Sequence, residues 1–269
     1  MKKLLSLVLI LTLCLGMLSL AACGQKEEAN DKTLLEEVTE RGTIIIATEG
    51  TWAPWTFHDE NDALTGFDIE VAKAVCEKMG LKAEFVEVEW DGILAGVESG
   101  RYDMAANGVE IDEAREEKYY FSNAYAYIHT ALIVRSEETG INSFEDLNGK
   151  TTANTLQSTY AKLAESYGAT VTGVDDLAQT IELLLAGRID ATLNADVSYY
   201  DYLTQHPEAK IKLVALTKDA SLVAFPVKKD DRNKTFIEAV NKAIKELYDD
   251  GTLSRLSIKF FGGDITVNE

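Results

Sequence analysis

Apolar residues recur along this chain at intervals that predict alternating strands and helices. Thr43–Thr48 is a run of β-branched residues, typical of a strand that is covered on both faces. Residues 236–247 instead carry apolar side chains every three or four positions, as an amphipathic helix does. The same criteria predict further strands at 82–89, 104–106, 131–134, 151–153, 169–174 and 191–193. They predict further helices at 69–79, 91–99, from 143, at 158–167, 176–186 and 253–260.

The order of these elements indicates the fold class. Strands and helices alternate throughout, which predicts an α/β fold with largely parallel sheets. Periodicity alone leaves open whether the strands form one sheet or two. The length of 269 residues permits one large domain or two smaller ones, each with its own core.

The N-terminus has the features of an export signal. A basic head, Met1-Lys2-Lys3, precedes an apolar run that ends at Leu20, which is shorter than the roughly 20 apolar residues of a membrane-spanning helix. The run leads into Ala21-Ala22-Cys23-Gly24, which resembles the lipobox of bacterial lipoproteins. We therefore expect residues 1–22 to be a lipoprotein signal peptide. Cys23 would then carry diacylglycerol and anchor the protein on the extracytoplasmic face of the cell membrane.

Charge and composition exclude several functions. The chain has 45 acidic and 26 basic residues, and the resulting net charge of −19 argues against a nucleic-acid partner. Residues 23–32 are charged and free of aromatic residues, so we expect a tether there. Three cysteines and three histidines leave little material for a metal site, and no metal or cofactor is expected. Cys76, the one cysteine left in the folded part, lies on an apolar helix face and should be buried and free.

Short motifs in a fixed order carry a family resemblance. They are Thr48–Trp55, Gly66–Glu70, Trp90–Leu94, Gly100–Asp103, Ala106–Val109, Arg115, Phe121-Ser122, Phe144–Lys150, Ser158–Tyr160 and Gly187–Ala191. Together they resemble the polar amino-acid group of solute-binding proteins that serve ABC importers. Relatives often pair the cysteine at position 76 with a second one, but Ala83 stands at that place.

The resemblance implies a two-lobe, periplasmic-binding-protein-like (type II) α/β fold with two crossover hinge strands. Lobe I would comprise residues 33–127 plus 224–269, and lobe II residues 132–218, with crossings near 127–131 and 220–224. The protein would be a monomer that closes on an amino acid and presents it to an ABC transporter permease. Two alternatives use the same fold, a dehydratase-like enzyme and a ligand-sensing domain. His58, His129 and His206 lie in unrelated segments, so an enzyme is not expected.

A buried amino acid needs a partner for each of its two charges. The planar guanidinium of arginine matches a carboxylate with two parallel hydrogen bonds, and Arg115 matches the family arginine that grips the α-carboxylate. The alternative for Arg115 is a surface arginine among neighbouring glutamates. Ser158-Thr159 begins a predicted helix, where hydroxyls and free N–H groups bind anions; a plain N-cap is the alternative, and both roles can coexist. Gln157 precedes this pair where many relatives have Gly.

The remaining expected contacts concern the side chain and ammonium of the ligand. By resemblance, Trp52 and Trp90 sandwich the side chain, Trp55 packs in the core, and the Gly108 carbonyl, continued by Val109, faces the ammonium. The full expected set is Glu49, Trp52, Trp90, Asn107, Gly108, Val109, Glu110, Arg115, Thr155, Ser158, Thr159 and Asn194.

Acidic residues bear on specificity. Ala195 stands where relatives carry the acid that receives the α-ammonium. Either the Asp196 carboxylate turns toward the ligand and binds this ammonium, or Glu110 does. We prefer Glu110. Glu49 matches an acidic position near the ligand of basic-amino-acid binders, which suggests a second ammonium. Cystine, lysine, arginine or ornithine would fit. Residues 157–161 and 194–199 look most similar to the cystine-type branch.

Overall fold

The computed structural model describes residues 32–267. The expected signal peptide 1–22, the lipidation site Cys23 and the tether, apart from Lys32, therefore lie outside the described residues. From Leu34 onward the chain forms one compact unit. No helix within residues 32–267 is both long and apolar enough to cross a membrane.

Strands and helices alternate along most of the described chain. The strands are β1 Thr43–Thr48, β2 Thr51–Trp52, β3 Thr56–His58, β4 Leu64–Thr65, β5 Lys82–Glu87, β6 Met104–Ala105, β7 Tyr119–Phe121, β8 Ala126–Ile128, β9 Thr130–Arg135, β10 Thr151–Asn154, β11 Thr170–Gly173, β12 Ala191–Ala195, β13 Ile211–Leu216, β14 Ser221–Val223 and β15 Pro226–Lys228. The α-helices are α1 Leu34–Arg41, α2 Phe67–Lys78, α3 Trp90–Glu98, α4 Glu113–Glu116, α5 Thr159–Ser166, α6 Leu177–Leu185, α7 Asp196–Gln205, α8 Lys234–Asp249 and α9 Thr252–Phe261. Short 3-10 helices span Phe144–Leu147 and Asp231–Asn233.

A three-stranded parallel sheet has the order β5-β1-β6. Ile46 and Ala47 of its central strand point to opposite faces and are both fully buried, as expected for a strand covered on both faces. Helix α2 packs on β5, α8 and α9, while α3 packs on β1 and β6. Gly80, just beyond α2, has a φ of +70°, which suits glycine and ends the helix where the sequence predicted.

A five-stranded sheet has the order β11-β10-β12-β9-β13. Strands β10, β11 and β12 are parallel, but β9 is antiparallel to both of its neighbours. The prediction of largely parallel pairing therefore holds for the three-stranded sheet and is wrong around β9. The reason is connectivity: β9 pairs with β12 and β13, which follow much later in the chain, so no single strand–helix–strand crossover joins β9 to either neighbour.

Two antiparallel strand pairs, β8 with β14 and β7 with β15, accompany the chain where it enters and leaves the five-stranded sheet. Strand β8 leads straight into β9, and β14 follows β13. A third small sheet, β2-β3-β4, is formed by the segment that connects β1 to α2 in the chain. The hydrophobic pattern predicted none of these short strands, because two or three residues are too few to show periodicity.

Two residues assigned to the interior by the sequence are found there. Trp55 is fully buried and contacts Phe67 and Phe261 through its ring. Cys76 is 1% exposed and forms no disulfide. Burial raises the pKa of the Cys76 thiol to about 12, so the group stays protonated and behaves as a small apolar side chain.

Candidate functional site

A cavity lies at the carboxyl ends of the parallel strands, the edge at which α/β sheets commonly bind ligands. The non-protein space between its walls, including the opening to solvent, is about 560 Å³. The residues we call the first wall are Glu49, Thr51, Trp52, Trp90, Gly108, Glu110 and Arg115. Those we call the second wall are Asn154, Thr155, Ser158, Thr159, Tyr160, Asp176, Leu177, Thr180 and Asn194.

Ten of the twelve expected ligand-binding residues line this cavity, and Asn107 and Val109 do not. Val109 is fully buried in an apolar cluster, and its carbonyl accepts from the Ala224 N–H at 3.0 Å. Asn107 is also fully buried and contacts the cavity only through Glu49. Both side chains are buried behind the lining residues, and direct contact of Asn107 and Val109 with a ligand stays a prediction.

Arg115 lies in the short helix α4 and is 4% exposed, so the alternative of a surface arginine is wrong. Its Nη1 donates to the Glu110 carbonyl at 2.7 Å, and its Nη2 donates to the Gln157 carbonyl at 3.3 Å. Nε lies 3.4 Å from Asp112 Oδ2 but makes no hydrogen bond. Burial lowers the pKa of the guanidinium, and the nearby carboxylates of Asp112 and Glu110 oppose that effect. An arginine remains charged under these conditions.

Two tryptophans of the first wall flank the cavity. The Arg115 guanidinium lies 5.4 Å from the Trp90 ring centroid, which is cation–π range. Trp52 stacks on Trp55 with ring centroids 5.6 Å apart. The indole N–H groups of Trp52 and Trp90 are buried and lack acceptors within the described residues.

Gly108 is held in the first wall by a buried carboxyl group. Asp68 Oδ2 accepts from the Gly108 N–H at 2.5 Å and from the Tyr125 hydroxyl at 3.0 Å. Burial raises the pKa of Asp68 to about 7, although both hydrogen bonds favour the ionised form. Gly108 has a φ of +58°, and a Cβ there would lie 2.7 Å from Cζ3 of Trp52, so glycine is required on both counts.

Glu49 follows β1 directly and is tied to Asn107. Its N–H donates to Asn107 Oδ1 at 2.7 Å, and its Oε2 accepts from Asn107 Nδ2 at 2.6 Å. Burial raises the pKa of Glu49 to about 7; the Asn107 bond opposes this, and the charge of Asp176 adds to it. Glu49 therefore titrates near neutral pH at the edge of the cavity.

In the second wall, Ser158 and Thr159 lie at the N-terminal end of helix α5. Ser158 is the N-cap: its hydroxyl accepts from the Ala161 N–H at 3.1 Å and donates to the Thr155 carbonyl at 2.7 Å. The N-cap role considered from the sequence is therefore present. Thr159 instead donates its hydroxyl to Glu110 Oε1 of the first wall at 2.5 Å. Gln157 has a φ of +59°, a conformation that favours glycine.

Asp196 does not line the cavity. Its Oδ1 accepts from the Val197 N–H at 2.9 Å and the His129 N–H at 3.3 Å. The carboxylate is thus engaged at the start of its own helix, α7. Glu110, in contrast, lines the cavity and is 5% exposed.

Six lining residues were not expected from the sequence: Thr51, Asn154, Tyr160, Asp176, Leu177 and Thr180. Asn154 is 3% exposed; its Nδ2 donates to the Leu193 carbonyl at 2.7 Å, whereas its Oδ1 has no partner. Asp176 is the N-cap of α6 and accepts from the Gln179 N–H at 2.8 Å. A polar residue at the end of β10 and an acid before α6 were the available signals, but both also suit purely structural roles.

Two walls built at the strand ends of separate sheets, with charged groups buried between them, define a binding cleft for a small polar solute. The sequence profile of the bacterial extracellular solute-binding proteins, family 3, matches residues 44–263. The chain belongs to this family.

Two curated relatives match almost the whole chain. A probable amino-acid ABC transporter-binding protein of Haemophilus influenzae is 38% identical over 266 residues, covering 99% of this chain and 100% of the relative. The L-cystine-binding protein TcyA of Bacillus subtilis is 37% identical over 272 residues, covering 98% of this chain and 99% of the relative.

Solved structures share the fold. An ancestral arginine-binding protein bound to arginine superposes with a TM-score of 0.77 at 35% identity, covering 82% of this chain and 99% of that one. The L-cystine solute receptor of Neisseria gonorrhoeae, in an unliganded open conformation, superposes with a TM-score of 0.60 at 38% identity. The match covers 88% of this chain and 100% of that one. The predicted two-lobe type II fold is thereby confirmed.

Proposed function

We propose that this protein captures a polar amino acid outside the cytoplasm, by closure of two lobes, and delivers it to an ABC transporter permease. Cystine or a basic amino acid is the favoured ligand. The observation that carries the proposal is Arg115, a guanidinium buried in the cavity whose Nε makes no hydrogen bond, although Asp112 Oδ2 lies 3.4 Å away. A buried guanidinium with an unused N–H donor favours a further anionic partner, and the α-carboxylate of an amino acid supplies one.

The α-carboxylate would bind the Nε and Nη2 edge of Arg115. Nε makes no hydrogen bond and Nη2 makes only a 3.3 Å bond, so this edge can receive two carboxylate oxygens side by side in place of the 3.4 Å approach of Asp112 Oδ2 to Nε. The first turn of α5, with Thr159, would complete the anion site from the second wall. Trp90 would cover the guanidinium and exclude water from the pair.

The α-ammonium would bind Glu110, which replaces the acid missing at Ala195. Glu110 lines the same cavity as Arg115, Arg115 Nη1 donates to the Glu110 backbone carbonyl, and the Glu110 carboxylate is near enough for its charge to act on the guanidinium. Asp196 is engaged with backbone N–H groups at the start of α7, which supports this preference. The Gly108 carbonyl would be a second acceptor, and Trp52 would contact the ligand side chain.

Lobe I would comprise residues 33–127 plus 224–269 and lobe II residues 132–218, with β8 and β14 as the crossings. The first wall would then belong to lobe I and the second wall to lobe II. Contacts already join them, from Thr159 to Glu110 and from Lys162 to Asp112. The higher TM-score to the arginine-bound structure than to the open receptor supports a closed arrangement. A ligand would favour closure only by its extra affinity for the closed form.

The relatives suggest the setting in which this cleft works. They are substrate-binding proteins of ABC transporters, and the family is extracellular. Lipid attachment at Cys23, after removal of residues 1–22, would keep the protein at the membrane beside a permease. We propose that it works as a monomer, as the family resemblance implies. None of the three histidines is among the lining residues, so an acid–base role for them in the cavity has no support.

A ligand screen tests this proposal. A soluble form that begins at Gly24 retains the whole compact unit. It would be freed of bound ligand by unfolding and refolding, then heated with each amino acid, including cystine and ornithine. A ligand that binds only the folded state raises the melting temperature. At least one polar amino acid should do so and give calorimetric binding. No shift and no binding heat with any amino acid would overturn the proposal.

A further inference from the structure

We propose that Asp176 and Asn154 of the second wall, together with Glu49 of the first wall, form a subsite for a second cationic group on the ligand. The inference rests on the proposed function and narrows its ligand to amino acids with an N–H-donating cation on the side chain. Asp176 is then a specificity-determining residue, and closure of the two walls completes the subsite.

The three residues come together through the strand ends. Glu49 follows β1, and Asn154 ends β10. Asn154 pairs with Gly173 at the end of β11, and the Val174 N–H donates to the Asn154 carbonyl at 3.3 Å. Asp176 comes two residues later, so Asn154 and Asp176 share one edge of the sheet. Asp176 is also close enough to Glu49 for its charge to act on that carboxyl group.

The charges of the cavity lining do not balance around a simple zwitterion. Three carboxyl groups line the cavity, Glu49, Glu110 and Asp176, whereas Arg115 is the only basic side chain among the described lining residues. A ligand carboxylate paired with Arg115 and a ligand ammonium paired with Glu110 leave two acids without a cation. Glu49 and Asp176 line the same cavity and the charge of Asp176 acts on Glu49, so a second cation between them would remove this repulsion.

An unpartnered buried acceptor lies at the same edge. Asn154 lines the cavity and is only 3% exposed, and its Oδ1 accepts no hydrogen bond. An acceptor buried without a donor costs free energy, so this oxygen favours a ligand that donates N–H bonds. Ammonium and guanidinium groups are donors only, which matches two carboxylates and an amide oxygen. The side-chain ends of arginine, lysine and ornithine have this chemistry. The second ammonium of cystine shares it but comes with a second carboxylate, so the charge balance favours a basic amino acid.

Matched ligands and variants test the subsite by calorimetry. Arginine would be compared with citrulline, its neutral counterpart, and cystine with the mixed disulfide of cysteine and 3-mercaptopropionic acid, which lacks only the second ammonium. Asp176→Asn keeps an N-cap residue at α6 but removes the charge. Asp175→Asn removes the same charge one residue away, at an exposed residue that does not line the cavity. Asn154→Leu removes the acceptor, with circular dichroism to verify folding.

The wild-type protein should bind arginine, cystine or both at least about tenfold more tightly than the neutral counterpart. Asp176→Asn should remove most of that preference by weakening the cationic ligand much more than its neutral counterpart, whereas Asp175→Asn should keep the preference. Equal weakening of both ligands by Asp176→Asn would show a structural cap only and overturn the subsite. Tight binding of neutral amino acids without a preference for cations would also overturn it, while the proposed function stands. If no amino acid binds at all, the proposed function itself fails, and the subsite with it.

Discussion

The Thr159 hydroxyl donates a 2.5 Å hydrogen bond to Oε1 of Glu110 and thereby joins the first turn of α5 to the segment that follows β6. Two further contacts run in parallel: Lys162 Nζ donates to Asp112 Oδ2 at 3.1 Å, and Trp55 Nε1 donates to Ser198 Oγ at 3.2 Å. Each of these bonds would break if the proposed lobes moved apart. They therefore favour the closed arrangement independently of the ligand.

Thr159→Val should shift the ligand-free protein toward an open form and weaken amino-acid binding by several-fold to about tenfold. The reason is that a hydrogen bond to a charged acceptor contributes roughly 1.5–3 kcal/mol, part of which solvent recovers when the lobes open. Small-angle scattering would measure the larger radius of gyration, and calorimetry the affinity. Thr159→Ser keeps the hydroxyl and serves as the control. A valine variant with the dimensions and affinity of the serine variant would contradict this role.

Arg115→Lys should lose amino-acid affinity almost as severely as Arg115→Ala, by at least about tenfold. Lysine keeps the charge but cannot offer two parallel N–H groups to a carboxylate, and breaking a buried charge pair costs about 2–5 kcal/mol. Calorimetry on the refolded variants measures the loss. Arg101→Ala removes an exposed arginine and should leave the affinity unchanged. Wild-type affinity in Arg115→Lys would show that a point charge is enough and that the fork is not used.

The predictable part of the fold is the part with long periodic elements. Periodicity predicts a helix over residues 236–247 and β-branching a strand over 43–48, and α8 and β1 lie there, since these elements bury a continuous face. Helix α7 was missed, because aromatic and polar residues mask its period and only Ser198 and Tyr199 are buried. Strand β9 was identified, but its antiparallel direction depends on connectivity, which no local pattern records.

The predictable part of the site is the part that resembles known relatives. Ten of the expected residues line the cavity. They were predictable because they lie in or beside motifs that match the family. Asn154 and Asp176 escaped notice, since each also has an ordinary structural role as a strand end or a helix cap. Their second role depends on tertiary proximity to Glu49, and only the folded chain brings these groups together.

The free energy of unfolding should depend on pH through Glu49. Burial raises the pKa of Glu49 in the folded protein to about 7, above its ordinary value of 4.5. Between these two pH values the folded state binds more protons than the unfolded state, so this group lowers stability as pH rises from about 4.5 to 7. Above pH 7 the effect is complete, at about 1–3 kcal/mol.

Urea unfolding of the wild-type protein and of Glu49→Gln, from pH 4.5 to 8, isolates this effect. Asp68 has a pKa raised in the same direction, but it is present in both proteins, so its contribution cancels in the difference. The wild type should lose stability relative to the glutamine variant as pH rises, and the difference should level off above pH 7. Parallel pH profiles would show that Glu49 is ionised in the folded state throughout.

Gly108→Ala should both destabilise the protein and weaken amino-acid binding, whereas Gly100→Ala should only destabilise it. Both glycines have positive φ, +58° and +76°, so alanine costs each about 1–2 kcal/mol of backbone strain. A Cβ at Gly100 meets nothing within 4 Å, but a Cβ at Gly108 would lie 2.7 Å from Cζ3 of Trp52. Trp52 must therefore move, and overpacking adds about 1–3 kcal/mol. Denaturant unfolding and calorimetry on both variants separate the two costs. If Gly108→Ala were no less stable than Gly100→Ala and bound its ligand normally, Trp52 would have room to move and its position would not shape the cleft.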